Sequence, residues 1–447
     1  MTRVVTIRSQ YGFFVTGARG ASDSHLGFGL MQTLTRILAV AAAAALTLSV
    51  ATPATAASPT GHKHVTVKLT DDDHIVVKWK ATTGIKYYKV KTSSTPDMTQ
   101  DVKSYKVAKS KTKLTIDAST KRYAYASPAS GNYVFVRVYA VKKNGKIGES
   151  PYKRVSLNPE VPNPAAQRLT VATFNVRTAD TEIPGHTWAS RLPAVAQQIN
   201  ASGAQVVALQ EAGANLGKTV TAPGVYDIHW QFEDVDNAVD PRYALVNGAE
   251  YSLETDGGKE GTRILYDTTA LKVVDSGFFA PSAVDKYLRW VPWAKFQSIA
   301  TGETFFFISA HLDNRKDSGD STELYELRRE QIGTIIDEAR RFSATGFQVV
   351  LAGDLNSNIY SVPDNGVARK LLAAGFYDAY ATNELVNPFR VTYNGFESSK
   401  SSASRTDYIM TFGRPDLRGS FSYKDWIDKV YGIWPSDHNM QSAVVPF

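Results

Sequence analysis

Residues 349–358 place an aspartate and an asparagine directly after a short apolar run. Residues 349–352 have the composition of a fully buried strand, and Gly353 follows them. Because residues i and i+2 of an extended segment face the same side, Asp354 and Asn356 are predicted to project together from the strand end. A carboxylate beside a carboxamide suits binding and deprotonating a water molecule next to a phosphate. Gly, Asp and Asn also favour turns, so this segment alone is equally compatible with an ordinary strand end.

Polar side chains also occur at the ends of several other predicted strands. They are Asn175, Gln210, Glu211, His311, Asp313, Asp407, Ser436, Asp437 and His438. Each of these alone could be a capping group, a solvated carboxylate or a buried histidine without a function. Strand ends along one rim of a sheet are, however, where sites are usually built. Their joint occurrence therefore predicts one polar site made from several strand ends.

The strands that must position these residues alternate with helices from residue 169 onward. Strands are predicted at 169–175, 206–210, 263–267, 304–310, 347–352, 407–412 and 441–445, and helices at 188–202, 323–341 and 366–374. The helical segments carry apolar residues at spacings of about three and four, whereas several strands are continuous apolar runs. This mixture of elements predicts one large domain of α and β layers.

The order of the polar motifs resembles that of the endonuclease/exonuclease/phosphatase superfamily. The matching segments are 173–177, 209–212, 309–313, 353–356, 405–409 and 436–438. The resemblance covers residue 169 to the C-terminus and implies a four-layered α/β sandwich, in which two packed mixed sheets are flanked by helices. It also implies hydrolysis of phosphodiesters or phosphomonoesters with Mg²⁺, or alternatively Mn²⁺ or Ca²⁺, as the cofactor.

The resemblance implies metal ligands after the first two strands of this domain and near the C-terminus. Glu211 would be the principal oxygen ligand of Mg²⁺, an ion that takes one or two carboxylates and keeps several waters. Asn175 and Asp437 would complete or neighbour that ligand shell. The ion would neutralise phosphoryl oxygens and stabilise the leaving oxyanion.

The same resemblance implies catalytic roles for the remaining polar residues. Asp354 would orient or deprotonate the attacking water, and the amide of Asn356 would hold water or phosphate. Asp407 would fix the orientation of the His438 imidazole and raise its proton affinity. His311 would donate a hydrogen bond to a non-bridging phosphate oxygen. Either Asp354 or His438 could be the formal base.

Other residues form a weaker group of candidates. Asp313 stands where many nucleases of the superfamily carry Asn, so contacts around the phosphate could differ here. Further side chains are expected to support the site or the core, and these are Trp188, Arg191, Tyr266, Arg328 and Gln331.

An N-terminal targeting segment is predicted before the folded chain. Residues 37–50 form an apolar run of 14 residues, followed by an Ala-x-Ala signature at 54–56. The run is too short to span a membrane comfortably, although an uncleaved membrane anchor is the alternative. Because Met31 lies just upstream, we expect residues 1–30 to be an over-extended start and residues 31–57 to be a signal peptide. The protein is then expected to be secreted from a bacterium into the extracellular medium.

Residues 62–157 alternate apolar and polar side chains with period two, interrupted by turn residues. Strands are predicted at 64–70, 74–80, 87–95, 113–117, 132–141 and 151–157. Such a series of short strands is typical of a β-sandwich. Trp79, the segment 88–90 and the runs 133–140 and 144–151 resemble a fibronectin type III domain, in which Trp79 would be a core residue.

Charge is divided unevenly between the two regions. Residues 62–157 contain 20 Lys and Arg against 7 Asp and Glu, a net charge of +13, whereas residues 158–447 contain 26 against 35, a net charge of −9. The basic region could bind a polyanion such as nucleic acid, a cell-wall polymer or anionic lipid, or could equally be a solvated surface. A proline-spaced linker at 158–166 separates it from a catalytic domain at 167–447. The absence of cysteine excludes disulfides and cysteine-based catalysis.

Three classes of function are compatible with these observations. We expect a monomeric extracellular nuclease acting on DNA or RNA. The alternative is a sphingomyelinase or phospholipase C-type enzyme, for which Phe278, Phe279, Trp290 and Trp293 could contact a membrane, although core packing is the favoured explanation of these side chains. The second alternative, a non-enzymatic surface- or wall-binding protein, conflicts with the complete set of motifs.

Overall fold

The structure is a computed structural model that describes most of the chain from residue 64 onward. The described residues are 64–70, 74–99, 101–117, 133–145, 147–157, 162–222, 225–246, 261–281, 289–319, 321–358, 361–387, 392–397 and 405–447. The predicted signal segment at 1–57 and the first residues of the predicted linker lie outside them. Within the described part of the chain, no helix is long and apolar enough to cross a membrane.

The N-terminal region is all-β. Its strands are Val65–Leu69 (β1), His74–Trp79 (β2), Ile85–Ser93 (β3), Lys103–Ala108 (β4), Lys113–Asp117 (β5), Tyr133–Lys142 (β6), Ile147–Glu149 (β7) and Lys153–Ser156 (β8). In the described residues, β1, β2 and β5 form one sheet, and β4, β3, β6, β7 and β8 form another. Their apolar faces enclose a shared core in which Trp79 is buried with its ring 5.2 Å from that of Tyr88. The region is thus a β-sandwich, and its fibronectin type III identity stays a proposal.

The larger region alternates strands with helices. Its strands are Arg168–Asn175 (β9), Val206–Gln210 (β10), Asn215–Ala222 (β11), Val225–Trp230 (β12), Tyr243–Leu245 (β13), Arg263–Asp267 (β14), Leu271–Phe279 (β15), Val291–Ser298 (β16), Thr304–His311 (β17), Gln348–Asp354 (β18), Tyr377–Asp378 (β19), Leu385–Val386 (β20), Asp407–Phe412 (β21), Ser422–Trp426 (β22) and Met440–Pro446 (β23). Its α-helices are Trp188–Ser202 (α1), Gln231–Ala238 (α2), Glu323–Ser343 (α3) and Gly366–Ala373 (α4).

Two mixed sheets make up the centre of this region. In the described residues the first has the strand order β13-β14-β10-β9-β23-β22-β20, and the second has the order β15-β16-β17-β18-β21-β19. Alternate side chains of the strands point to opposite faces, so Leu169 and Val171 of β9 lie in the core between the sheets, whereas Phe174 packs under α1. Both faces of the central strands are therefore apolar, which explains their continuous hydrophobic sequences.

The helices cover the outer faces of the two sheets. Helices α1 and α2 pack on the first sheet through a cluster that includes Ile199 and Phe232. Helices α3 and α4 pack on the second sheet through a cluster that includes Ile335 and Leu371. The order of layers is helix, sheet, sheet, helix, which is the four-layered α/β sandwich expected from the sequence.

Two strand backbones approach each other so closely at position 353, just before Asp354, that the residue type there is restricted. Strands β17 and β18 are parallel, with Ala310 opposite Gly353 and His311 opposite Asp354. A Cβ atom added at Gly353 would lie 2.0 Å from the carbonyl oxygen of Ala310. Glycine is therefore required at this position because no side chain fits between the strands.

The β-sandwich contacts the larger region next to the short strands β19 and β20. A guanidinium nitrogen of Arg154 donates to the carbonyl of Thr382, and the backbone N–H of Ser156 donates to Oδ1 of Asn383 at 3.0 Å. The Arg154 guanidinium also lies 4.4 Å from the ring centroid of Tyr380. These contacts join β8 of the β-sandwich to the segment between β19 and β20, which are edge strands of the two sheets of the larger region.

Several elements were not predicted from the sequence. They are β4, β7, α2, the hairpin of β11 and β12, and the strands β13, β15, β16, β19, β20 and β22. Strands β19 and β20 are two residues long, too short for a recognisable alternation. Strand β15 is half-exposed along most of its length, so its apolar pattern is weak.

Candidate functional site

The strand register places three predicted site residues in one row. His311 is paired with Asp354 between β17 and β18, and Asp354 is paired with Asp407 between β18 and β21. In the other sheet, Asn175 at the end of β9 is paired with Gln210 at the end of β10, immediately before Glu211. The strand ends of both sheets therefore bring their polar side chains to the same rim, as the sequence predicted.

Asn175 links the two sheets at this rim. Its side-chain nitrogen donates to Oε1 of Glu211 and to Oδ2 of Asp354, each at 3.1 Å. Its oxygen accepts from the backbone N–H of Arg177 at 3.0 Å. The buried amide thus holds a carboxylate from each sheet at a fixed separation.

Three residues that follow site strands have left-handed backbone conformations. The φ angles of Arg177, Glu211 and Asn356 are 59°, 58° and 46°. Non-glycine residues rarely adopt this region, and such conformations concentrate at functional sites. The turn at Glu211 is supported by Gly261, whose carbonyl accepts from Ala212 and where a Cβ would come within 2.2 Å of the Ala212 nitrogen.

The prediction that Asp354 and Asn356 project together by strand pleating is wrong. Strand β18 ends at Asp354, and the left-handed turn then redirects the chain. The backbone N–H of Asn356 donates to Oδ1 of Asp354 at 2.9 Å, and its side-chain nitrogen donates to the carbonyl of Leu312 at 3.0 Å. Both side chains still line the same cavity, because the turn rather than the pleat brings them together.

His438 lies between two buried aspartates. Its Nδ1 is 3.0 Å from Oδ2 of Asp407, and its Nε2 is 3.7 Å from Oδ2 of Asp354. Burial acts to lower the pKa of His438, but the charges of Asp407 and Asp354 outweigh it and raise that pKa to about 10. Burial and the charge of Asp407 raise the pKa of Asp354 to about 6. The arrangement is an imidazolium held between two carboxylates.

His311 has a defined tautomer. Its Nδ1 lies 3.1 Å from a guanidinium nitrogen of Arg289. A guanidinium can only donate hydrogen bonds, so Nδ1 accepts and the ring proton is on Nε2. Burial and the charge of Arg289 lower the pKa of His311 to about 3, so the ring is neutral. The Nε2 atom is buried and has no hydrogen-bond partner among the described residues.

The segment after His311 is held by the side chains of α3. The Asp313 carboxylate accepts from the Arg315 guanidinium at 2.7 Å, and the backbone N–H of Asp313 donates to Oε1 of Gln331 at 3.0 Å. Arg328 donates to the carbonyl of Arg315 at 2.7 Å. Arg328 and Gln331 are therefore supports of this segment, as expected for accessory positions.

Arg191 supports the opposite side of the rim. Its buried guanidinium donates to the carbonyls of Val176 at 2.6 Å, Pro435 at 2.9 Å and Arg177 at 3.1 Å. It thereby joins the turn after β9 to the segment that carries Asp437. Two other weaker candidates contact residues outside the rim: Trp188 donates to Asp234, and the Tyr266 ring lies 5.3 Å from that of Phe296. Gln210, at a strand end of the rim, accepts from Thr173.

A cavity of about 620 Å³ opens over the rim. Glu211, Asp354, Asn356, Asp437 and His438 line it directly, whereas Asn175, His311 and Asp407 are buried at the rim. The cavity is also lined by cations and by two apolar side chains, and these are Arg177, Arg315, Lys316, Arg328, Val362 and Tyr393. A negatively charged ligand could therefore meet the polar side chains of the rim and positive charge in one space.

The oxygen atoms at this rim suit a hard divalent cation. Glu211 and Asp437 present carboxylates to the cavity, and Asn175 contributes an amide beside them. Mg²⁺ and Ca²⁺ prefer such oxygen ligands. The pKa of Glu211 is lowered: burial raises it, but the charge of His438 and hydrogen bonds from Thr178 and Asn175 outweigh burial. Glu211 is therefore ionised and able to bind a cation.

A second group of possible ligands lies next to the first. One ligand atom from each of Asp354, Asp407 and His438 lies within 4.8 Å of the others. The Nδ1 atom of His438 is already hydrogen-bonded to Asp407, however, so a proton joins these two residues. The carboxylates of Glu211 and Asp437 fit a divalent cation better, because they offer oxygen atoms alone.

The layered fold and this rim define a hydrolase of phosphoric esters. The chain matches the model of the endonuclease/exonuclease/phosphatase family over residues 172–438. The protein therefore belongs to the endonuclease/exonuclease/phosphatase family. No match to the chain is found among curated proteins.

Several solved structures are similar to part of the chain at low sequence identity. An endonuclease/exonuclease/phosphatase family protein from Bacteroides thetaiotaomicron is 21% identical, with a TM-score of 0.50 and coverage of 63% of this chain and 98% of that one. A mannosyl-6-phosphatase from the same organism is 21% identical, with a TM-score of 0.49 and coverage of 62% and 99%. D. rerio TDP2 in complex with a single-stranded DNA product is 17% identical, with a TM-score of 0.45 and coverage of 63% and 99%.

The sequence did not reveal two residues of the site. Arg289 was not selected because its partner His311 is 22 residues away. Tyr393 lies outside any named strand and reaches the rim through an isolated bridge to His438 and a contact between the two rings. An arginine just before an apolar strand and a tyrosine in a polar turn are each too common in sequences to indicate a functional site.

Proposed function

We propose that the protein is a secreted, divalent-metal-dependent nuclease that hydrolyses phosphodiester bonds in DNA or RNA. The observation that carries this proposal is the convergence of Asp354 and His438 on one cavity that also exposes Glu211 and several cations. Family membership supports the reaction class, namely hydrolysis of a phosphoric ester. The substrate, the metal and the location are parts of the proposal.

Each residue of the rim has a separate role in the proposed hydrolysis. A water molecule beside Asp354 is held for in-line attack on phosphorus, and the Asp354–His438 pair takes up its proton. Asp407 fixes the His438 ring through Nδ1. The Nε2–H of His311, buried without a partner among the described residues, donates to a non-bridging oxygen as negative charge grows there. Asn356 orders the turn that holds Asp354 in place.

The cation would be held by Glu211, with Asn175 and Asp437 beside it. Mg²⁺ is the proposed ion, and Mn²⁺ and Ca²⁺ are the alternatives with the same preference for oxygen. When bound, it supplies positive charge that neutralises phosphoryl oxygens and the leaving oxygen. Arg177 lies 3.6 Å from Glu211 and 3.9 Å from Asp437, so the protein also places a guanidinium against this acidic pair.

Nucleic acid is the substrate that the charge distribution favours. Residues 62–157 carry a net charge of +13 and contact the larger region through Arg154. A basic region attached to the catalytic region can hold a polyanionic backbone and release its counterions. Binding should then weaken steeply as salt rises, whereas binding to zwitterionic lipid should not.

The aromatic residues considered for membrane contact are half-buried and pack against other side chains. Phe278 lies 4.8 Å from Trp290, and Trp293 lies 4.8 Å from Phe342. Phe279 packs against the cluster between the second sheet and α3. These contacts favour a packing role over membrane contact for these side chains. Hydrolysis of a lipid substrate is the alternative that an activity assay must test.

The test is hydrolysis of plasmid DNA, RNA and sphingomyelin vesicles by the purified protein, each with Mg²⁺ and with EDTA. We expect loss of DNA or RNA with Mg²⁺ and none with EDTA. Release of choline phosphate with intact DNA and RNA would move the protein to the lipid substrate class. His438→Ala and Asp354→Ala should abolish activity, and full activity in both folded variants would refute the site.

A histidine outside the site provides the control. His229 pairs with Asp234 at 2.8 Å and is exposed, so His229→Ala removes a similar Asp–His pair without touching the cavity. This variant should retain wild-type activity. Secretion is tested by N-terminal sequencing of exported protein, for which we expect a start near Ala57, and retention of residues 37–50 would contradict a cleaved signal peptide.

A further inference from the structure

One sheet of the β-sandwich carries four cations in adjacent positions on its outer face. Lys89 and Lys91 of β3 are two residues apart, and both point away from the core that contains Val90. Lys106 of β4 is paired with Lys89, and Arg137 of β6 is paired with Lys91. Because paired residues lie on the same face of a sheet, all four side chains project to one side. We call these four residues the cationic face.

The cationic face is open to solvent and has an excess of positive charge. Lys106 is exposed, and Lys89, Lys91 and Arg137 are partly exposed. In the described strands of this sheet, Glu149 of β7 is the one acidic residue, and it lies 3.3 Å from Arg137. The other three cations therefore have no acidic residue of their own sheet to neutralise them.

Like charges lie directly opposite each other at two places on the cationic face. Lys89 is opposite Lys106, and Lys91 is opposite Arg137. The Cβ atoms of such pairs are about 4.5–5.5 Å apart, and like charges in these positions destabilise a sheet. Each pair therefore lowers the stability of the free protein. A polyanion bound across both pairs would remove this repulsion.

Two tyrosines of the same sheet surface hold lysine ammonium groups in place. Nζ of Lys91 lies 5.3 Å from the ring centroid of Tyr139, and Nζ of Lys106 lies 5.0 Å from that of Tyr87. Both distances are within the range of cation–π contacts. A side chain that is already held in one position loses less conformational entropy when it binds a ligand. The cationic face is therefore partly preorganised for an anion.

The spacing of the four cations favours an extended ligand with repeated charges. Residues two apart in a strand are separated by about 6.6–6.8 Å, and neighbouring strands by about 4.8 Å. One small anion cannot contact all four cations at these separations, whereas a chain with a charge on every unit can. A nucleic acid has this charge pattern, and its binding to cations releases condensed counterions.

We propose that the cationic face binds the phosphodiester backbone of nucleic acid outside the catalytic cavity. None of its four residues lines that cavity. The choice of nucleic acid among polyanions rests on the proposed nuclease function, and the inference adds a second surface that holds long substrates. Contacts to phosphates carry no sequence information, so this surface binds without selecting a sequence.

The experiment measures binding of a labelled single-stranded oligonucleotide to the full chain by fluorescence anisotropy, in EDTA and over a range of salt concentrations. The double variant Lys89→Gln/Lys91→Gln removes one member of each like-charge pair. Its Kd should rise by about 2- to 30-fold, the range for loss of two exposed ion pairs. The slope of log Kd against log salt should fall by about 1.4, since each lost phosphate contact on a single strand removes about 0.7.

The other sheet of the β-sandwich provides a matched control. Lys78 of β2 is paired with Lys113 of β5, and both are exposed. Lys78→Gln/Lys113→Gln makes the same change in net charge and also removes a like-charge pair, but it should leave Kd unchanged. Neither double variant should lower the urea midpoint of unfolding, because each removes repulsion. Weaker binding is then not a result of misfolding.

Two further measurements distinguish the cationic face from general charge. Glu149→Gln removes the carboxylate beside Arg137 and should lower Kd by about 2- to 5-fold. With Mg²⁺, Lys89→Gln/Lys91→Gln should raise KM for a long single strand, with kcat and the KM for a dinucleotide unchanged. A dinucleotide is too short to reach both the catalytic cavity and a second surface.

The outcomes separate this inference from the nuclease proposal. An unchanged Kd in Lys89→Gln/Lys91→Gln, or an equal rise in the Lys78→Gln/Lys113→Gln control, would overturn the inference. Binding of phosphatidylserine vesicles without binding of the oligonucleotide would also overturn it and would make the face a membrane contact. Oligonucleotide binding that depends on Lys89 and Lys91, without cleavage in Mg²⁺, would support the face and reject the nuclease function.

Discussion

Oδ2 of Asp407 lies 3.0 Å from Nδ1 of His438, and both side chains are buried. Asp407 is in turn the ladder partner of Asp354, whose Oδ2 lies 3.7 Å from Nε2 of the same imidazole. The register of β18 and β21 thus sets the distance between the two carboxylates, and the imidazole occupies the space between them. We expect this arrangement of two carboxylates and an imidazole to be required for catalysis.

Asp407→Asn should lower kcat by about 10²- to 10⁴-fold, the range for loss of a positioned acid–base group. The amide retains the size of the side chain but no longer provides the negative charge that orients and charges His438. The His438→Asn variant should lose a similar factor. The measurement is kcat with DNA in Mg²⁺, and His229→Asn, which alters the exposed pair with Asp234, is the control and should keep full activity.

The double variant of Asp407 and His438 tests whether the two act as one unit. Residues that work together show strongly non-additive effects, so the double substitution should cost no more than the larger single one. Multiplication of the two separate losses would show that the residues act independently, and the proposed pairing would be wrong.

Arg289→Met should disturb the tautomer of His311. The guanidinium donates to Nδ1 at 3.1 Å and so fixes the proton on Nε2. His311→Ala should lower kcat by about 10²- to 10³-fold, as expected for loss of a transition-state donor, and Arg289→Met should lower it less. Arg289→Lys should restore activity, because an ammonium also donates to Nδ1. Nitrogen NMR of the imidazole reports the tautomer directly, and an unchanged tautomer in Arg289→Met would contradict this account.

Asp313→Asn should reduce stability in a pH-dependent manner. Burial raises the pKa of Asp313, but the hydrogen bonds and charge of Arg315 outweigh it, so the pKa is lowered. A lowered pKa contributes stability that is present above the unfolded-state value of about 3.9 and is lost as pH falls through the folded-state value. The variant should lose about 1–2 kcal/mol at pH 7, and the difference should vanish in strong acid.

Urea unfolding at pH 7 and at pH 3 measures this difference. Asp416→Asn is a matched control, because Asp416 also pairs with an arginine, Arg414, but on the exposed surface. Its effect should stay within about 0.5 kcal/mol at both pH values. A loss for Asp313→Asn that is the same at both pH values would mean that its charge does not contribute.

Arg154→Ala should destabilise the protein by about 2–3 kcal/mol. It removes a charged hydrogen bond to Thr382 and a cation–π contact with Tyr380, both buried between the β-sandwich and the larger region. Thermal or urea unfolding provides the measurement. Arg137→Ala breaks an exposed pair with Glu149 and should change stability by less than about 0.5 kcal/mol, so equal effects of the two variants would argue against a stabilising contact at Arg154.

Glu211→Gln should raise the Mg²⁺ concentration needed for half-maximal activity by at least about 10- to 100-fold, the range seen when groups that support a metal ligand are altered. The substitution keeps the hydrogen-bonding shape but removes the charge that attracts the cation. Activity titrations with Mg²⁺ and Mn²⁺ measure this midpoint. An unchanged midpoint would place the cation elsewhere, with the cluster of Asp354, Asp407 and His438 as the next candidate.

The location of the site could be predicted because its residues follow a simple rule. His311 and Asp354 end strands that are otherwise apolar, and Asp407 begins one. Polar groups at such strand ends lie together on one rim of the sheet. The alternation of strands and helices predicted α and β layers, and the family resemblance implied their four-layered arrangement. The chemistry and the architecture are thus encoded in the same short segments.

The geometry of the site could not be predicted in the same way. A turn with a left-handed conformation at Asn356, and not strand alternation, brings Asn356 to the same cavity as Asp354, and no local pattern indicates this turn. Arg289 and Tyr393 reach their histidines through contacts between segments that are distant in sequence. The two-residue strands β19 and β20 exist because longer neighbours pair with them, so their own sequences carry no signal.

The amide of Asn175 makes the site sensitive to sliding of one sheet over the other. It is hydrogen-bonded to Glu211 of its own sheet and to Asp354 of the opposite sheet, each at 3.1 Å. A shear of about 1 Å between the sheets would leave the hydrophobic core largely closed but would lengthen one of these bonds beyond hydrogen-bonding range. Enzymatic activity should consequently depend on the alignment of the two sheets. On heating, activity should be lost at a lower temperature than that at which the α/β region unfolds.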